Sequence, residues 1–328
     1  MRMSVVDVGS NTVRLVIADA ADGVPLPVHT VKWKLRLSEH AAPGGPVPEQ
    51  AVRHLADAVA DAAAVAGRRG AGPPLAFATA VVRDAPNRRE VLRAVRARSG
   101  VRLCALPGEA EAELTFLGAR RWLGWQAGAL VLFDIGGGSL EVAFGHGRLP
   151  DFAASLPLGA NRLTHEWLGD ADPPSADAVR ALRRAVRREL RDVAARVRRE
   201  APHTAVVTSR TFQRLARLSG AAPGHHGPFV RRELTRAGVR DAVGRLAALP
   251  AAERARLPGV SAPRAAQSLA GAVVGHTALK LTGVRSAVVC PWAVREGVLL
   301  RHLEDGGAWW ERLARDADDA PAPPCALR

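Results

Sequence analysis

At 328 residues, 48% of them hydrophobic and 24% charged, the chain has the makeup of an ordinary globular protein and the length for two cores. No apolar run approaches the roughly 18 residues a membrane-spanning helix needs, so no membrane span and no membrane partner are expected. The formal charge of +14 is almost wholly arginine, because Lys32, Lys34 and Lys280 are the only lysines, and a surface so positive attracts polyanions.

Specific nucleic-acid recognition is disfavoured, since zinc-finger spacing and aromatic-rich RNA-binding stretches are missing. Cys104, Cys290 and Cys325 are scattered and lack CxxC spacing, so they read as reduced thiols of a cytoplasmic protein without a zinc site. Met1-Arg2-Met3 runs straight into a β-like stretch, unlike a signal peptide.

Strands are expected at Met3–Val8, Val13–Ala20 and Val28–Leu37, where aliphatic and β-branched residues are broken by Gly, Asn, Asp and Pro. A helix at Glu49–Ala66 and a short strand at Leu75–Ala78 follow, then a polar turn around Arg83–Asn87. Asn87 is positioned to cap a helix reaching Arg98. Val101–Ala105 reads as a strand and Glu109–Gly118 as a helix. The pattern then restarts with strands Ala129–Asp134, Leu140–Gly145 and Asp151–Leu156. Val179, Leu182, Val186, Leu190, Val193 and Val197 step by three or four along one long helix, Asp177–Glu200, whose other face carries many arginines. That face is either plainly solvated or a track for an anionic chain. Further helices are expected at Arg231–Ala248, Ala265–Leu281 and Ala293–Glu304. The lobes implied are 1–122 and 123–304, with 305–328 as a disordered tail. His225 and His226 suit a solvated loop, and Trp309-Trp310 either cover a hydrophobic edge or make a subunit contact, which leaves a homodimer open.

Two glycine loops occupy the same strand–turn–strand context, Asp7-Val8-Gly9-Ser10-Asn11-Thr12 and Asp134-Ile135-Gly136-Gly137-Gly138-Ser139. Glycine permits positive φ and lets N–H groups approach a ligand closely, and successive N–H groups make an anion nest. Ser10, Asn11, Thr12 and Ser139 add donors. Asp7 and Asp134, ending their strands, suit Mg²⁺ beside phosphate oxygens. One such loop could equally be a hairpin turn. Two, each opening one half of the chain, point to related lobes facing across a cleft with a phosphate clamp on each.

This arrangement resembles the actin-like, sugar-kinase and Hsp70-type superfamily. The glycine pair that accepts adenosine in that superfamily is replaced here by Val206-Val207-Thr208-Ser209-Arg210-Thr211, in which Arg210 suits a phosphate better than a purine. The segments DVGSNTVRLVI (7–17), FATAVVRDAPN (77–87), PGEAEAELTFLGA (107–119), FDIGGGSLEV (133–142), SLPLGANRLT (155–164), TSRTFQRLARLSGA (208–221) and REGVLL (295–300) together resemble the exopolyphosphatase / guanosine pentaphosphate phosphatase (Ppx/GppA) family in its short form. The resemblance implies an α/β, two-lobed actin-like (ribonuclease H-like, ASKHA) fold with mixed sheets flanked by helices and the active site in the cleft.

It also implies hydrolysis of the terminal phosphate of inorganic polyphosphate, or of guanosine pentaphosphate, a molecule of the stringent response. Mg²⁺ would be the cofactor, with Mn²⁺ as a substitute. Glu111 falls on the family's catalytic base, although Ala110 replaces the acidic residue usual before it. Arg83 falls on the phosphate-contacting arginine, and Glu141 joins Asp7 and Asp134 in holding the metal. Phosphate would be bound by Gly9, Ser10, Asn11, Thr12, Arg83, Gly136, Gly137, Gly138 and Ser139. The Ala110 departure keeps a non-catalytic polyphosphate- or nucleotide-binding regulator open as another class, while the missing adenosine turn disfavours an actin-like ATPase.

Overall fold

The computed structural model describes residues 1–21, 23–35, 37, 44–169 and 171–319. They divide into two compact units, one of Met1–Leu114 with the segment from Val294 onward, the other of Thr115–Ala293.

In the first unit, strands β1 (Arg2–Val8), β2 (Thr12–Ala21) and β3 (Val24–Lys34) form an antiparallel meander. Strands β4 (Leu75–Ala78) and β5 (Leu103–Ala105) add to it in parallel, giving the order β3-β2-β1-β4-β5. Helix α1 (Glu49–Arg68) buries Leu55, Val59 and Ala62 in a core shared with Val6, Val8, Leu15 and Ile17, the alternate residues of the strands. Helix α3 (Arg88–Ser99) closes the same side with Val91 and Val95, following the single turn α2 (Ala80–Arg83). Asn87 does not cap α3 with its side chain. Its amide instead accepts from Val47 N and donates to Val47 O, both at 2.9 Å, which pins the loop before α1.

The second unit repeats the plan. Strands β6 (Leu130–Ile135), β7 (Leu140–Gly145) and β8 (Phe152–Leu156) form the meander, and β9 (Thr204–Thr208) and β11 (Ser286–Val289) the parallel half. Their order, β8-β7-β6-β9-β11, matches that of the first sheet strand for strand, with β10 (Glu233–Thr235) added antiparallel at the edge. The duplicated α/β architecture with mixed sheets is the expected one. Helix α6 (Ala176–Glu200) lays Val179, Leu182, Val186, Leu190 and Val197 on the core and turns its arginines outward. Helices α7 (Ser209–Leu218), α8 (Arg236–Ala247) and α10 (Ser268–Leu281) share that core, while α9 (Ala251–Arg254) is a single turn.

Two expectations need correction. The helix expected from Arg231 begins at Arg236, because Glu233–Thr235 pair with β11 and Thr235 Oγ1 accepts from Gly238 N at 3.0 Å to cap it. The segment expected as a tail from 305 contains helix α12 (Ala308–Asp319) as far as the described residues reach, and 320–328 lie outside them. Trp309 and Trp310 are buried with Ala314 and Ala317 against Met3, Val5, Phe77 and Cys104, so they cover one face of the first unit's own sheet. The glycines and aspartates around them hide this apolar stripe from a compositional reading.

Helix α11 (Val294–Asp305) joins the same core through Val298 and Leu299. A Cβ on Gly297 would stand 1.8 Å from the backbone oxygen of Leu114, so only glycine fits there. Gly297→Ala should cost about 3 kcal/mol or more through overpacking against a backbone that cannot yield. Urea unfolding with an unchanged midpoint would rule this packing out.

Candidate active site

The two glycine loops close alike. Gly9 N donates to Thr12 O at 3.0 Å, and Gly136 N donates to Ser139 O at 2.9 Å. None of Gly9, Gly136, Gly137 and Gly138 has positive φ, which corrects half of the reason expected for glycine here. What remains is bare backbone. A Cβ would meet only Thr12 O at 3.8 Å beside Gly9, and Ser139 O at 3.4 Å beside Gly136, so the space a side chain would fill is left to a ligand.

The second loop is held from behind. Gly136 O accepts from Ala160 N, and Gly137 O from the N–H groups of Asn161 and Arg162, at 3.0–3.1 Å. Gly138 O accepts from Arg162 Nε at 3.0 Å. In a planar trans peptide the N–H points opposite to the C=O. The N–H groups of Gly137, Gly138 and Ser139 are therefore aimed away from the 159–162 segment, as an anion nest requires. Gly159 permits the contact, since a Cβ there would lie 2.2 Å from the carbonyl carbon of Gly138. Neither Gly159 nor Arg162 is among the expected site residues. The run SLPLGANRLT was their only signal, and it carries no role without the loop packed against it.

In the first unit, Glu111 lies in the first turn of α4 (Gly108–Leu123), its backbone N donating to Pro107 O. Arg83, at the end of α2, brings Nη1 to 2.9 Å from Glu111 Oε2 and 3.3 Å from Leu106 O, with Nε 3.1 Å from Asp84 Oδ1. Both side chains of the pair are only 13% exposed, a setting where such an ion pair has fixed geometry. The structure thus joins the expected base and the expected phosphate-contacting arginine directly. Ser10, Asn11 and Thr12 are half-buried at the tip of the first loop, with Asn11 Nδ2 3.5 Å from Ser10 Oγ.

The three carboxylates expected to share a metal have different surroundings. Asp7 stands opposite Arg14 in the β1–β2 register, and its Oδ2 lies 3.5 Å from Arg295 Nη1. Burial pushes its carboxyl above the usual aspartate range, against the pull of Arg295 and Arg14. Asp134 stands opposite Glu141 in the β6–β7 register, on the same sheet face. Glu141 is buried and accepts from Ser155 Oγ at 2.9 Å. Among the described residues no group of three or more His, Cys, Asp or Glu side chains gathers as a metal site. Adjacent carboxylates, one of them buried, nevertheless fit a hard cation that draws its remaining ligands from water and phosphate. Arg295 and Ser155 escaped the sequence reading because their partners are distant in the chain.

The Ppx/GppA phosphatase family matches over residues 16–305. Exopolyphosphatase 1 of Mycobacterium tuberculosis is 46% identical over 306 residues, covering 93% of this chain and 89% of that protein. An uncharacterized protein of Streptomyces coelicolor is 70% identical over 330 residues, covering 100% of this chain and 98% of that one. The crystal structure of the Aquifex aeolicus Ppx/GppA family member superposes with a TM-score of 0.80 at 26% identity, covering 93% of this chain and 98% of that one. An exopolyphosphatase structure from Cytophaga hutchinsonii gives 0.84 at 22% identity over 93% and 98%, a likeness of fold.

The raised Asp7 carboxyl has a consequence for stability. Between the ordinary aspartate value of about 3.9 and the higher folded value, the folded chain keeps a proton the unfolded chain has lost. This group's contribution therefore falls as pH rises through that window. Asp7→Asn should raise the melting temperature at pH 7 and flatten its decline above pH ~4. A lower melting temperature at pH 7 would mean that pairing with Arg295 outweighs burial.

Proposed function

The chain belongs to the Ppx/GppA phosphatase family, and within it we propose an exopolyphosphatase that releases orthophosphate from the end of inorganic polyphosphate. The observation that carries this reading is the Glu111 carboxylate, nearly buried and held at 2.9 Å by Arg83 at the start of a helix. A general base must be fixed in direction before it can accept a proton from a particular water, and Arg83 supplies that direction.

Glu111 takes a proton from water while the water oxygen bonds to the terminal phosphorus. The bond from that phosphorus to the bridging oxygen breaks, and its electron pair leaves with the shortened chain. Each glycine loop, taken by itself, is suited to phosphate charge, the second through the N–H groups of Gly137, Gly138 and Ser139, the first through its own N–H groups with Ser10, Asn11 and Thr12. A Mg²⁺ ion, or Mn²⁺ in its place, bound by Asp134 and Glu141 would neutralise negative charge on the phosphate oxygens. Asp7, with arginines on two sides, is assigned to positioning rather than to the ion. We place the protein in the cytoplasm, where Cys104 and Cys290, both buried free thiols, stay reduced.

A second reading, guanosine pentaphosphate as substrate, is favoured by one feature. Phe229, 84% exposed, stacks on Trp122 with ring centroids 5.3 Å apart, and Trp122 leans on Trp292 at 5.4 Å. Trp292 O accepts from Thr208 Oγ1, which ties this aromatic surface to the end of the strand beside Asp134. A nucleobase could stack on the open face of Phe229.

Glu111→Gln should lower kcat by roughly 10²–10⁴ and leave polyphosphate binding largely intact. Phosphate release is measured from short and long polyphosphate, guanosine pentaphosphate and ATP, each with and without Mg²⁺. Near-normal turnover in the variant would remove Glu111 from the mechanism. Binding without release by the unaltered chain would identify a regulator instead.

A further inference from the structure

Strand alternation draws a line of polar side chains across the second unit's sheet. Phe133 and Ile135 of β6, Leu140 and Val142 of β7 and Val207 of β9 enter the core shared with α6 and α10. Asp134, Glu141 and Thr208, adjacent to them in sequence, therefore face the other way. The register sets them side by side: Ser155 stands opposite Glu141, Glu141 opposite Asp134, and Asp134 opposite Thr208. The two carboxylates are thus flanked by a hydroxyl residue on either side.

The two hydroxyls are used differently. Thr208 Oγ1 donates to the backbone oxygens of Cys290 and Trp292, at 3.2 and 2.9 Å. Ser155 Oγ donates to Glu141 Oε1 at 2.9 Å. A hydroxyl has one proton to give. That of Thr208 goes to the main chain, so in this row it is Ser155 that serves a carboxylate.

That bond acts on the softest part of the glutamate. The last torsion of the side chain has no sharp preference, so the plane of the carboxylate turns easily until a donor fixes one oxygen. Glu141 is 1% exposed, and a carboxylate so far from bulk water takes its direction from the protein around it. Ser155 also opens the segment whose residues 159–162 hold the glycine loop from behind. One short stretch of chain therefore orients both the carboxylate and the loop's N–H groups.

We infer that Ser155 is a positioning residue for the cation: its hydroxyl holds Glu141 in the orientation in which Glu141 and Asp134 take one divalent ion together. The inference rests on the metal-assisted phosphatase reading and deepens it, by naming the group that prepares one of the two carboxylates. Ser155 itself touches neither the ion nor the phosphate. It acts through Glu141.

The test titrates the full-length protein with Mn²⁺ alone, following the electron paramagnetic resonance signal of the free ion. Ser155→Ala should weaken Mn²⁺ binding roughly tenfold or more, the usual size when a metal ligand loses its outer hydrogen bond. Ser155→Thr keeps a hydroxyl and should recover most of the affinity. Ser155→Val has the shape of threonine without the hydroxyl and should bind as weakly as Ser155→Ala, so this pair repeats the comparison if Ser155→Ala fails to fold. Equal Mn²⁺ affinities with and without the hydroxyl overturn the inference, whatever the melting temperatures, because a purely structural bond would alter only those. Undiminished binding by Glu141→Gln places the ion elsewhere and overturns it too. If the unaltered protein takes up no Mn²⁺, the metal reading falls and the inference with it. Phosphate release is read in parallel, and the Mg²⁺ needed for half-maximal release should rise with the loss of Mn²⁺ affinity. Mn²⁺ uptake without phosphate release removes the catalytic reading, and the binding comparison still decides the role of Ser155.

Discussion

Three carbonyl oxygens, those of Gly136, Gly137 and Gly138, are taken up by residues 160–162, and the direction of the second loop's N–H groups follows from that constraint. A backbone offers N–H groups to an anion when its carbonyls point elsewhere, since a carbonyl oxygen facing the ligand would repel it. The anchoring segment must come very close to do this, which demands glycine at 159. One set of hydrogen bonds thus sets the direction of these N–H groups.

Arginine does nearly all of the cationic work in this chain, and its planar fork explains how it can do so many different things. Arg83 spreads its donors over Glu111, Leu106 O and Asp84, which fixes the carboxylate's direction. Arg162 reaches back to a loop carbonyl, and Arg295 reaches Asp7. Lysine could match the charge at these places, but not the several directed bonds. On α6 the arginines stay on the outer face, where solvent screens them, and they need no partner.

Much of the fold was legible because its signals are local. The strands, the α6 stripe and both glycine turns announce themselves through short periods and turn residues, and nearly all lie within a few residues of where they were expected. What escaped depends on partners far away in the chain. Asn87 looks like a helix cap until Val47 is found beside it, and Gly297 looks unremarkable until Leu114 lies against it. The return of Val294–Asp319 to the first unit, and the burial of Trp309 and Trp310 there, are likewise invisible to a window moving along the sequence. Glu111 and Arg83 were legible only as separate motif positions. Their contact is a product of the fold.

The duplicated sheets carry one topology with different charges at matching positions. Both place an aspartate at the end of the first strand and a glycine turn after it. They differ at the residue directly opposite that aspartate. In the first unit it is Arg14, which with Arg295 lies close to Asp7 and offsets its charge. In the second it is Glu141, and two carboxylates facing each other across a sheet repel unless a cation joins them. A single exchange of charge on the second strand therefore gives the two matching turns opposite electrostatic surroundings.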